Sequence, residues 1–141
     1  MAELNIVEKV IALEGVDLMA NLTSEQLARI GAIAREVRFP PGRIILEAGK
    51  PLDALYVVVE GSVALSRSGE LLATASPNEV LGAWALFEEN DPTAFTAKAT
   101  EDTRLLRIGR EDFYDLLADN TEITSAIFST LVRRFRKLVE P

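Results

Sequence analysis

Between Glu36 and Gly109 the chain is cut at short intervals by residues that reverse a backbone: Pro40-Pro41-Gly42, Gly49-Lys50, Gly61, Ser68-Gly69 and Ser76-Pro77-Asn78. The pieces between them are short and rich in Val, Ile, Leu and Thr. Runs of that length, bounded by such turn residues and repeating at about 8–12 residues, build a β-sandwich or barrel. The pattern predicts strands near 36–39, 43–47, 54–60, 62–67, 70–75, 79–81, 93–99 and 103–109. Eight short strands suit a jelly-roll barrel, or double-stranded β-helix, whose paired sheets limit exposed edges. Most of the glycines need no ligand to explain them, because a residue without Cβ reaches positive φ at little steric cost. Asn78 is the next most tolerant residue type at such a position.

Helical spacing flanks this region on both sides. Val7, Val10 and Ile11 lead through Val16 and Leu18 to a second helix, where Thr23 and Gln26 fit a capping box ahead of Leu27, Ile30 and Ile33. After the strands, Phe113, Leu116 and Leu117 mark one short helix, and Thr121 is the expected N-cap of a longer one. In that last helix Phe128, Leu131, Phe135 and Leu138 recur at spacings of three, four and three. Such a seam needs a surface to cover it. The ordinary reading is its own barrel; the alternative is a second copy, or a neighbouring domain of a longer parent. The expectation is therefore one mainly β domain over 1–141, with N-terminal helices (1–35), a β-roll (36–109) and C-terminal helices (110–141).

Composition removes whole classes of function. The chain contains no cysteine and no histidine, so disulfides, Cys/His metal sites, His-ligated haem and His-based triads are all excluded. A metal-dependent jelly-roll enzyme would lack its usual ligands; no cofactor and no metal are expected, and Glu111-Asp112 suit a helix N-terminus without any catalytic role. A formal charge of −7 is a poor match for a polyanion, which makes nucleic acid an unsuitable partner. The cluster Arg133, Arg134, Arg136 and Lys137 falls in the last helical turns, where cations complement the helix dipole. With no signal pattern and no apolar run of membrane-spanning length, direct membrane insertion is not expected and a cytoplasmic location is, as a chain of its own or as a soluble domain of a larger protein.

Pro41-Gly42-Arg43-Ile44-Ile45, Glu47-Ala48-Gly49, Ala54 to Gly61 and Leu81-Gly82, in this order between helices, resemble the cyclic-nucleotide-binding domain family, the sensor half of catabolite-activator-like regulators. The resemblance covers about residues 17–138. It implies a regulatory, non-catalytic module and a phosphate-binding cassette, in which backbone N–H groups at a helix start and an arginine hold a cyclic phosphate. The family pattern there is similar to Phe-Gly-Glu-Leu-Ala-Leu, followed after a gap by Pro-Arg-Ser/Ala-Ala-Thr. This chain has Leu81-Gly82-Ala83-Trp84-Ala85-Leu86 and Pro92-Thr93-Ala94-Phe95-Thr96.

Aligned in this way, Ala83 stands where the resemblance implies a glutamate for the ribose hydroxyl, and Thr93 where it implies the arginine for the phosphate. Losing one partner of a buried charge pair costs about 2–5 kcal/mol, roughly 30-fold to several thousand-fold in affinity. Between Arg67 and Arg104 the one basic residue is Lys98, expected to point outward, while Glu88, Glu89 and Asp91 add negative charge to the loop. Trp84 and Phe95 either fill the pocket themselves or stack on a neutral or apolar ligand; the other reading of Trp84 is that it faces the core or a neighbouring chain. The candidate pocket is thus Gly82, Ala83, Trp84, Ala85, Thr93, Ala94, Phe95 and Thr96. Two uses of it are open: a module that has lost nucleotide binding, or a sensor of another small molecule, or of cyclic nucleotide through backbone donors and the Thr93 hydroxyl.

Overall fold

The computed structural model describes residues 3–83 and 93–140. Helix α1 (Ile6–Glu14), a 3₁₀ turn (Asp17–Met19) and α2 (Ser24–Ile33) come first. Eight strands follow: β1 (Arg35–Phe39), β2 (Ile44–Leu46), β3 (Ala54–Glu60), β4 (Val63–Arg67), β5 (Glu70–Ala75), β6 (Val80–Leu81), β7 (Thr96–Ala99) and β8 (Thr103–Gly109). Helices α3 (Arg110–Asp119) and α4 (Thr121–Val139) close the chain. The strands form two antiparallel four-stranded sheets, ordered β1-β8-β3-β6 and β2-β7-β4-β5. This is the expected mainly β jelly-roll fold with flanking helices, built as two facing sheets.

The uninterrupted apolar run of β3 has a direct cause: the strand is covered on both faces. Leu55 and Val57 join Leu106 and Ile108 of β8 in a cluster with Leu13, Leu27, Ile30, Phe113, Ile123 and Ile127 of the helices. Val58 turns the other way, into a cluster between the sheets with Leu46, Val63, Ala75, Leu81, Ala97 and Leu105. Burying each of the Val, Leu, Ile and Phe side chains among these stabilises the fold by about 1.5–3 kcal/mol. β3 and β8 are therefore the shared wall of both cores.

Local chemistry sets the element ends. Asn5 with Glu8 and Thr23 with Gln26 form complete capping boxes at the starts of α1 and α2, satisfying N–H groups that a helix start leaves unpaired. Asn78 adopts φ +75°, as its place in the β5–β6 turn leads one to expect, and its N–H donates to the Val58 carbonyl at 2.8 Å. At Gly61, φ is +98° and an added Cβ would lie 2.6 Å from the Asp102 carbonyl oxygen, so both conformation and space require glycine.

One charged cluster ties the N-terminal segment to the first sheet. The Glu36 carboxylate accepts from the Leu4 N–H at 2.7 Å and from Arg38 Nε at 2.9 Å. It also lies 3.7 Å from Arg104 Nε, and Arg104 reaches Glu60 at 3.6 Å. Burial pushes the Glu36 carboxyl up, but the Leu4 N–H, Arg38 and Arg104 outweigh it and hold the group below its ordinary value.

Three sequence expectations need correction. The N-cap of α4 is Asn120, not Thr121, and it makes no side-chain cap bond, because its amide is used elsewhere: Nδ2 donates to the Leu116 carbonyl and Oδ1 accepts from Arg29. Strand β7 starts at Thr96, not at 93, because Thr93 bonds to the Gly49–Lys50 turn before the ladder begins. The α4 seam does not pack on its own barrel. Phe128, Leu131, Phe135 and Leu138 are 60, 36, 64 and 84% exposed, while Ile123, Ile127 and Thr130 form the buried stripe. Successive helix positions differ by about 100°, so the stripe through Ile127 turns Phe128 away from the body.

Candidate functional site

The predicted pocket residues that the structure describes lie at the ends of β6 and β7 and on the chain leading into β7. Trp84 and Ala85, with Leu86, Glu88, Glu89, Asp91 and Pro92, lie outside the described residues. Gly82 follows β6 directly with φ +77°, and an added Cβ would meet Leu52 Cδ2 at 2.4 Å and the Ala54 carbonyl oxygen at 3.2 Å. The backbone conformation favours glycine here, and any side chain would also have to displace the end of Leu52. Ala83 is half-buried, and its methyl group offers nothing to a ribose hydroxyl.

Thr93 is 4% exposed. Its Oγ1 donates toward the carbonyl oxygens of Glu47 at 2.5 Å and Lys50 at 3.2 Å. Its own N–H donates to the Lys50 carbonyl at 3.0 Å, and the Gly49 N–H donates to the Thr93 carbonyl at 2.9 Å. A hydroxyl has one proton to give. With two carbonyls competing for it, the Thr93 proton is committed to the chain itself.

Beyond Thr93 the side chains diverge. Ala94 is exposed. Phe95 is half-buried and packs against the cluster between the sheets, while Ala97 is fully buried within it. Thr96 Oγ1 accepts from the Ala48 N–H at 3.2 Å. Lys98 is exposed, as expected for the outward position in this strand. The structure thus brings Gly82, Phe95 and Thr96 to one end of the roll together with Thr93, and leaves Ala94 on the surface.

The fold also brings in residues that the sequence reading passed over. A cleft of about 320 Å³ borders Thr93 and is lined by Ile45, Glu47, Lys50 and Leu52 among others. Lys50 is the one cation among the described residues lining it, and its Nζ lies 3.1 Å from the Glu47 carboxylate. Both partners are more than half exposed, which leaves the pair weak and screened by solvent. Lys50 precedes Thr93 by more than forty residues, so no local spacing could link them. The signal available was the Glu47-Ala48-Gly49 turn, whose backbone groups had to find partners somewhere.

Among the described residues no group of three or more carboxylates is placed to hold a metal ion, and no helix is long and apolar enough to cross a membrane.

Two antiparallel four-stranded sheets flanked by N-terminal and C-terminal helices define a double-sheet β-roll. The model of the cyclic nucleotide-binding domain matches residues 36–120, and the chain belongs to that family. It is similar to the N-terminal domain of a transcriptional regulator from Streptomyces coelicolor, with 33% identity, 90% of this chain and 94% of that one covered, and a TM-score of 0.85. It is 30% identical to the cyclic AMP receptor protein of Thermus thermophilus over 89% of this chain and 60% of that protein. It is 27% identical to a CRP-like cAMP-activated global transcriptional regulator of Mycobacterium tuberculosis, over 77% of this chain and 51% of that protein. The chain thus spans between half and two thirds of these two relatives, and what it shares with them is the sensor-type domain.

Proposed function

We propose that this chain is a non-catalytic regulatory module of the cyclic-nucleotide-binding type that does not hold cAMP or cGMP in the family's usual mode. One observation carries the reading: where that mode needs an arginine, Thr93 is buried and its only hydroxyl proton is directed at backbone carbonyls. A carbonyl-facing hydroxyl offers no positive charge to a phosphate, and Ala83 offers no acceptor to a ribose. The alternative in which the Thr93 hydroxyl donates to a nucleotide is disfavoured by the same bonds.

Thermal unfolding with cAMP or cGMP tests this, since a ligand present at a hundred times its Kd stabilises a protein by about 2.7 kcal/mol. No rise in Tm is expected up to millimolar nucleotide; a clear concentration-dependent rise refutes the reading. In a folded Ala83→Glu/Thr93→Arg double variant, measurable nucleotide binding is expected to appear. Its absence in a variant with a native circular dichroism spectrum would count against the alignment of these two positions.

A second reading concerns association. The seam of Phe128, Leu131, Phe135 and Leu138 is exposed and continues the three-four-three spacing of a paired helix. We infer that a second copy of the chain covers it. Sedimentation should then show a concentration-dependent dimer that Phe128→Ser with Phe135→Ser converts to monomer. A wild-type chain that stays monomeric at high micromolar concentration rules this out.

A further inference from the structure

We propose that Thr93 is a latch that fixes the chain entering β7 on the Glu47–Lys50 turn without help from a ligand, making this end of the roll constitutively set. The inference rests on the reading that the usual phosphate contact is lost, and adds what replaced it. Three donors join the two segments at this point: the single Thr93 Oγ1 proton, shared between the Glu47 and Lys50 carbonyls at 2.5 and 3.2 Å, Thr93 N to the Lys50 carbonyl at 3.0 Å, and Gly49 N to the Thr93 carbonyl at 2.9 Å. Three residues further on, Thr96 Oγ1 takes the Ala48 N–H at 3.2 Å. The turn itself is free to meet Thr93, because Gly49 supplies φ +86° with nothing within 4 Å of where a Cβ would sit.

The difference between a cation and a hydroxyl at this position is one of reference state. A guanidinium facing a phosphate is fully satisfied only when the phosphate is there. The Thr93 hydroxyl is satisfied by the chain alone, and at 4% exposure water cannot readily take its place. A hydroxyl already satisfied by backbone carbonyls gains no partner from a ligand, so it cannot report one through this contact. Thr93 is a positioning residue on this account, acting on the Gly49 and Lys50 backbone.

Amide hydrogen exchange on the whole chain, followed by NMR at Gly49 and Thr93, is the test. In the wild type both amides should be protected, and equally so with and without millimolar cAMP. Thr93→Val keeps the shape and removes the donor; it should raise exchange at Gly49 by roughly tenfold, the order expected when a buried acceptor loses its partner, while Thr93→Ser stays near wild type. Unprotected wild-type amides, or a folded Thr93→Val chain with wild-type exchange at Gly49, would overturn the latch. If Thr93→Val does not fold, Thr93→Ala is read in the same way. These outcomes are separate from those of the parent reading, which fails on a nucleotide-dependent Tm in the wild type even if the latch is present.

Discussion

Strand β3 and the outer half of α4 are both rich in large apolar residues, yet they are used in opposite ways. In β3, Leu55, Val57 and Val58 are wholly buried, one face against the helices and the other between the sheets. In α4, Phe135 and Leu138 are 64 and 84% exposed. β3 has its apolar side chains covered within one chain, whereas the outer half of α4 leaves its own uncovered. Hydrophobicity in a sequence does not by itself decide burial; the geometry of the fold selects which apolar side chains are covered.

The widest test of this contrast sets Phe113 against Phe135. Phe113 is 1% exposed within the helix-side cluster, and Phe113→Ala should cost about 3–5 kcal/mol in chemical denaturation. Phe135→Ala should change the stability of the monomer by no more than about 0.5 kcal/mol. Comparable costs at the two sites would erase the distinction. Next in size are the turns. Gly61→Ala adds a Cβ 2.5 Å from Thr103 Oγ1 and 2.6 Å from a carbonyl oxygen, whereas Gly69, at φ +80°, has nothing within 4 Å. Gly69→Ala should therefore cost only about 1–2 kcal/mol, the conformational part alone, and Gly61→Ala distinctly more, read as a larger drop in Tm.

An electrostatic test of the same contrast lies at Glu36. Its folded-state pKa is depressed, so its contribution is fully present above the ordinary carboxyl value of 4.5 and is lost as pH falls through the lower folded value. Glu36→Gln should reduce stability at pH 7 by about 1–3 kcal/mol and flatten the acid limb of the stability curve below pH 4.5. An unchanged acid limb would show that Leu4, Arg38 and Arg104 do not act through this carboxylate.

What was legible in the sequence follows from how far its causes reach. The capping box at Thr23, the left-handed Asn78 and the glycine turns all arise within a few residues, so local chemistry revealed the strands, the start of α2 and the jelly-roll order, while the equally local box at Asn5 went unread. The substitutions at Ala83 and Thr93 were equally plain as identities. Their surroundings were not: the Thr93 bonds cross to Glu47 and Lys50, and the exposure of the α4 seam depends on which stripe of that helix the roll accepts. At Thr121 the reading failed because Arg29, ninety-one residues before Asn120, draws the Asn120 carboxamide away from the helix start.

The polar contacts of α4 with the 3₁₀ turn have a mechanical consequence. Asn21 Nδ2 donates to Thr130 Oγ1 at 2.9 Å, Arg133 reaches Asn21 Oδ1 at 3.2 Å, and Arg134 pairs with Asp17. The buried stripe ends at Thr130, so these contacts are what holds the last turns of α4 to the body. Asp17 is 81% exposed and Arg134 nearly half, so salt screens that pair while leaving the neutral Asn21–Thr130 bond in place. Rising ionic strength therefore weakens the Arg134–Asp17 fixing of α4 while the Asn21–Thr130 fixing holds.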